Sequence, residues 1–223
     1  MREINVDEKV VMALKQFRGD VRIYENLEQS KLALVIIDMQ NAFVSAGGPI
    51  EVPKSREIIP NINRIVGKCR EKNIPVIWIK SIYNSDWSDA GLLPKYFLRN
   101  LKGPSPLSRG NSWSEIAEGL DVKECDYIVD KCRFSALVQG SSKLERLLKT
   151  LDRDTIIITG TKTEICCEST ARDAMQLDFK VVFIKDATAT VLEEDHRAAL
   201  NVIIQRFGDV LSTDEIVREL AAM

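Results

Sequence analysis

LALVIIDMQNAF, residues 32–43, decides how the chain folds. Its first six residues are apolar without polar alternation, and the run stops at Asp38, with Gln40 and Asn41 close behind. A strand with one wet face alternates, so a continuous apolar run of this length predicts a strand buried on both sides. The same texture recurs at 75–79, 127–129, 155–159 and 180–184, and Val210 and Leu211, after the turn signal Gly208-Asp209, predict a short sixth strand. Apolar spacing between these runs predicts helices over about 55–72, 141–151, 164–177 and 193–207. Strand alternating with helix predicts an α/β fold: a Rossmann-like three-layer sandwich, with an about six-stranded parallel sheet, helices on both faces and right-handed crossovers.

The chain of 223 residues suits one domain, taken as 31–223. Residues 1–30 are charged, and Val10, Val11, Leu14 and Phe17 lie on one side of a helical pattern, as in an arm packing on the body or on another subunit. The long departure from the strand–helix rhythm, 81–125, is rich in Trp, Tyr, Pro, Gly and Ser and has the character of a binding loop.

Composition removes several classes of function. Lys+Arg 31 against Asp+Glu 33 gives a net charge of −2, so there is no basic field for nucleic acid. No apolar run approaches the ~20 residues of a membrane span, and the charged start MREINVDEKV lacks a secretory h-region, so a cytoplasmic address is expected. Five cysteines with no C-x-x-C pair predict reduced thiols rather than disulfides or a zinc site. With His196 as the single histidine, no metal site built on several histidines is available, and neither metal nor cofactor is expected. A Ser-His-Asp triad would have to use His196, within what reads as an ordinary helix. Gln40 stands where a magnesium-dependent phosphatase needs a second acid, and Met39-Gln40-Asn41 is no dinucleotide-binding glycine turn.

In an open parallel sheet, ligands bind beyond the carboxyl ends of the strands. The first apolar run ends in Asp38, the third in Asp130-Lys131, and the fourth runs through Gly160 and TKTE to Cys166-Cys167. An acid, an ammonium and a thiol therefore converge on one edge. Helical spacing puts Cys167, Ala171, Ala174 and Asp178 on one packed stripe, leaving Cys166 in the first helical turn, about 100° away. There the helix dipole and Lys131 favour a thiolate; lowering a thiol from ~8.5 to ~7 takes roughly 2 kcal/mol, within reach of a nearby ammonium.

These residues carry a resemblance. LVIIDMQNAF, DKCRFSA (130–136) and IITGTKTEICCESTARDA (157–174) occur in the order seen in isochorismatase-like cysteine hydrolases, a family that includes N-carbamoylsarcosine, ureidoacrylate, biuret and maleamate amidohydrolases and nicotinamidases. The likeness runs from about Lys31 to Asp214 and implies Asp38, Lys131 and Cys166 as a catalytic triad. It also implies a cis peptide at Thr161-Lys162 and an oxyanion hole from the backbone N–H groups of Lys162 and Cys166. Nicotinamidases of this family bind a metal through an aspartate and two histidines after the first motif; no histidine precedes position 196 here. Cys166 favours amide chemistry over vinyl-ether cleavage. The motifs look closest to ureidoacrylate and biuret hydrolases, yet Phe134 replaces a common tyrosine, and the segment from Ser81 to Tyr83 lacks the expected asparagine–tryptophan pair.

The resulting expectation is a cysteine amidohydrolase that cleaves a C–N bond of a small linear amide or ureide through a thioester, as a homo-oligomer, dimer or tetramer. Gln40 and Asn41 would orient Asp38 or a substrate amide, Arg133 would meet a substrate carboxylate, and Tyr83, Trp87, Tyr96, Trp113 and Phe134 are aromatic candidates for the pocket wall or subunit contacts. The alternatives are an isochorismatase-type vinyl-ether hydrolase and a catalytically silent member acting as a binding protein.

Overall fold

The computed structural model describes residues 6–223, so the first five residues of the arm lie outside it. Six strands, β1 (Leu32–Ile37), β2 (Val76–Ser81), β3 (Tyr127–Lys131), β4 (Thr155–Thr161), β5 (Lys180–Ala189) and β6 (Asp209–Leu211), form one wholly parallel sheet of order β3-β2-β1-β4-β5-β6. Every residue of β1 and β4 is buried, because both are central and covered on two faces. Edge strand β3 instead exposes Tyr127 and Ile128.

Among the described residues seven α-helices surround the sheet: α1 (Glu8–Arg18), α2 (Asn41–Val44), α3 (Ile59–Glu71), α4 (Leu144–Thr150), α5 (Glu168–Gln176), α6 (Glu193–Arg206) and α7 (Thr213–Ala222). Strand side chains alternate between faces, so β1 serves two cores. Leu32, Leu34 and Ile36 pack with Ile62, Ile65 and Val66 of α3 and with Ile216 and Leu220 of α7. Ala33, Val35 and Ile37 pack with Leu144 and Leu148 of α4, Ala171 and Ala174 of α5, and Leu200 and Ile203 of α6. These are the three predicted layers. Among the described residues no helix is long and apolar enough to cross a membrane.

Three local expectations are corrected. Helix α7 was missed because the strand reading stopped at Leu211; its signal was the capping box from Ser212 to Glu215, followed by Ile216 and Leu220 at helical spacing. The helix expected from 164 begins as an α-helix only at Glu168, after a π-helical turn over Thr163–Cys167. Asp178 leaves the predicted stripe: it sits exposed at φ +65 in the turn after α5, while Cys167, Ala171 and Ala174 are fully buried.

In the arm, α1 buries Leu14 but leaves Phe17 81% exposed, so only part of the predicted side is covered. The segment between α1 and β1 is tied to the body of the same chain. The buried Asp209 carboxylate accepts the N–H groups of Ile23 (2.7 Å) and Tyr24 (3.1 Å) and pairs with Arg22 at 3.3 Å.

Candidate active site

The strand order reverses between β1 and β4, and the crevice beyond their carboxyl ends is where an open α/β sheet binds ligands. Asp38 leaves β1 at φ +51, a left-handed turn that swings its carboxylate inward. Lys131 closes β3 and pairs in register with Ser81 at the end of β2. After β4 the Thr161-Lys162 peptide is cis, and the π-helical turn presents Cys166; such turns are frequent at functional sites. Gly160 lets β4 approach β1 here. It sits at φ +110, and a Cβ would press on the carbonyl of Ile37 and lie 2.7 Å from its nitrogen.

The three side chains meet and are buried: Asp38 is 0%, Lys131 1% and Cys166 6% exposed. Nζ of Lys131 has three N–H groups, and three acceptors lie around it: Oγ of Ser81 at 2.8 Å, the Arg133 carbonyl at 3.1 Å and Sγ of Cys166 at 3.5 Å. Asp38 Oδ1 accepts the Ser81 hydroxyl at 2.9 Å. Its Oδ2, a fourth acceptor, stands 2.8 Å from Nζ in a buried ion pair. One carboxylate oxygen thus faces a neutral hydroxyl and the other the ammonium.

Burial works most strongly against the Lys131 ammonium, but the surrounding acidic groups, Asp38 first, together outweigh it and the pKa is raised. Burial likewise pushes the Cys166 thiol up to about 12, with Lys131 pulling down and Asp38 pushing up. Desolvation therefore opposes the thiolate expected from the ammonium and the helix N-terminus. That expectation left out the lost hydration of a buried thiolate and the repulsion of Asp38. Alkylation of Cys166 by iodoacetamide is accordingly expected to rise by roughly tenfold per pH unit from pH 7 to 10. A plateau near pH 7 in peptide mass spectrometry would instead mean a preformed thiolate.

The remaining sequence candidates have distinct fates. Gln40 is fully buried and its amide is engaged within the protein, accepting from the Ser81 N–H (2.7 Å) and donating to the carbonyls of Ser81 (3.1 Å) and Ser114 (2.8 Å). It is unavailable to a substrate amide and serves Asp38 only through Ser81. Asn41 donates to the Ser112 carbonyl at 2.9 Å and accepts from Ser45 at 3.1 Å, holding the long loop. Arg133 turns to the backbone, donating through Nη1 to the carbonyls of Asp89 and Cys132, both at 2.6 Å. Tyr83 is buried, which pushes its hydroxyl up to about 12, and its ring lies 5.7 Å from that of Trp87. Tyr83 and Lys131 wall a cavity of about 420 Å³ that also meets Asp89 and Cys132. The Trp87 indole donates to the Gly103 carbonyl at 3.2 Å. Phe134, 39% exposed, meets Phe97 edge to face at 6.5 Å; Tyr96 is exposed and Trp113 half-buried.

Two contributors escaped the sequence reading. Ser81, one polar residue in a loop-like stretch, gave no signal beyond its place at the end of a strand. His196 is buried in α6, its Nδ1 lies 2.8 Å from Oγ1 of Thr163 in the turn that carries Cys166, and burial lowers its pKa to about 4.

A family model described as the isochorismatase domain matches residues 32–215. Among similar proteins, "Probable inactive nicotinamidase At3g16190" of Arabidopsis thaliana is 34% identical over 168 residues, 74% of this chain and 84% of the relative. The N-carbamoylsarcosine amidase of an Arthrobacter species is 27% identical over 191 residues, 86% of this chain and 72% of the relative. The crystal structure of a cysteine hydrolase from Pseudomonas syringae pv. phaseolicola 1448A superposes with a TM-score of 0.82 at 27% identity, covering 90% of this chain and 97% of the other. With the motif order, the sheet topology and these matches in agreement, the chain belongs to the isochorismatase-like cysteine hydrolase family.

Proposed function

We propose that the chain is a cysteine amidohydrolase that cleaves the C–N bond of a small linear amide or ureide through a thioester on Cys166. The observation that carries this reading is the buried cluster in which Nζ of Lys131 lies 2.8 Å from the Asp38 carboxylate and 3.5 Å from Sγ of Cys166. In it, the thiol proton passes to Oδ2 of Asp38 as sulfur attacks the substrate carbonyl. The N–H groups of Lys162 and Cys166 receive the tetrahedral oxyanion, each such donor being worth ~2.7–4 kcal/mol of barrier. Collapse breaks the C–N bond, and protonated Asp38 gives its proton to the leaving nitrogen. Water then yields a proton to the same carboxylate and adds to the thioester; the C–S bond breaks and the proton returns to sulfur. Lys131 holds its positive charge beside both groups throughout. The likeness to an N-carbamoylsarcosine amidase supports a carbamoyl-type substrate. Exposed Leu92, Tyr96, Phe97 and Phe134 support a homo-oligomer.

The test is ammonia release from ureidoacrylate, biuret, N-carbamoylsarcosine, maleamate and nicotinamide, with Cys166→Ala as control. A carbamoyl compound is expected to turn over, and Cys166→Ala to lower the rate by roughly 10³-fold or more. Full turnover in that variant overturns the nucleophile assignment. The relative whose name includes "inactive" favours a second reading, a silent binding protein; wild-type rates equal to the blank for all five compounds would support it.

A further inference from the structure

Asp38 has two chemically equivalent oxygens, and a general base must offer a free lone pair to the proton it takes. Here the two are treated differently. The Ser81 hydroxyl has one hydrogen and two lone pairs. Because its oxygen lies 2.8 Å from the Lys131 ammonium, which can only donate, the hydrogen is directed to Oδ1 of Asp38 at 2.9 Å. Ser81 thus does two things at once: it donates to Oδ1, and it accepts one of the three N–H groups of Lys131. The Arg133 carbonyl, Sγ of Cys166 and Oδ2 of Asp38, the last 2.8 Å from Nζ, share the remaining two N–H groups.

Ser81 is itself held. β1 ends at Ile37, whose partner in β2 is Ile79, so the backbone of Ser81 lies beyond the ladder between these strands. The buried amide of Gln40 takes the place of the missing strand, accepting from the Ser81 N–H at 2.7 Å and donating to its carbonyl at 3.1 Å. The second donor of that amide is anchored on the Ser114 carbonyl at 2.8 Å. We infer that Ser81, clamped by Gln40, is a positioning residue that fixes Oδ1 of Asp38 and, by occupying one Lys131 N–H, leaves a lone pair of Oδ2 to receive the Cys166 proton. This rests on the triad reading above and deepens it.

Without the hydroxyl, the Lys131 N–H that it accepts would turn to Oδ2 and compete with the thiol for the same lone pair. Ser81→Ala should therefore slow proton removal from sulfur while leaving the substrate-binding surface in place; Ser81→Thr, which keeps a hydroxyl, should restore it. The experiment tracks iodoacetamide labelling of Cys166 by peptide mass spectrometry at pH 8 in wild type and both variants, with exposed Cys125 of the same chain as reference and melting temperatures in parallel. Ser81→Ala is expected to label Cys166 roughly 10-fold more slowly and Ser81→Thr within about 3-fold of wild type, with Cys125 unchanged. On any compound turned over in the ammonia screen, Ser81→Ala should lower kcat by roughly 10- to 100-fold with KM within about 2-fold. Wild-type labelling in Ser81→Ala overturns the inference. So does equal slowing in both variants with a lowered melting temperature, which would make Ser81 a packing residue. The triad reading fails separately, through turnover that survives Cys166→Ala, and would take this inference with it.

Discussion

Lys131→Met is expected to abolish turnover and to destabilise the protein by about 3–5 kcal/mol. Lys131 and Asp38 are buried together, with side chains 0% exposed and 2.8 Å apart, and a buried carboxylate left without its cation loses far more than the net worth of the pair. The methionine fills a similar volume, so the deficit comes from the stranded charge rather than from a cavity. The double variant Asp38→Leu/Lys131→Met removes both charges and should regain most of the lost stability while remaining inactive. Urea midpoints and ammonia release on the four proteins of the cycle check this. A double variant no more stable than Lys131→Met alone would show that the pair contributes through shape and not charge.

Gly160→Ala should be nearly as damaging from a residue with no side chain. The added methyl would collide with the Ile37 backbone, which belongs to the central strand and cannot retreat without dragging Asp38 with it. At φ +110 any L side chain is strained as well. A loss of about 3 kcal/mol or more, with turnover lowered by roughly 100-fold in whatever folds, is expected. Alanine at Gly67, where a Cβ meets nothing within 4 Å, is the control and should be neutral or slightly stabilising. Thermal melts of the two variants, read beside their ammonia-release rates, decide the matter.

Much of the fold was legible because burial on both faces leaves a direct trace in composition. The run at 32–37 is apolar throughout, those at 156–158 and 181–184 likewise, and each became part of a strand of the central parallel sheet. The π-helical turn over Thr163–Cys167 left no such trace, since its residues differ little from those of an ordinary first helical turn. Phe17 shares by spacing the apolar side of the arm yet is exposed, because periodicity reports which side a residue faces and not whether anything covers it.

The amino-acid order alone determined the alternation of strands and helices, and hence the edge where Asp38, Lys131 and Cys166 emerge. Which of their atoms meet was decided only in three dimensions. The burial that raises the thiol to about 12, the hydrogen bond from Ser81 to one Asp38 oxygen and the engagement of Gln40 and Arg133 by backbone carbonyls all depend on neighbours distant in sequence. Apolar patterning is a property of single segments and survives in a string of letters; hydrogen-bond direction and desolvation are properties of pairs, and they exist only once the segments are packed.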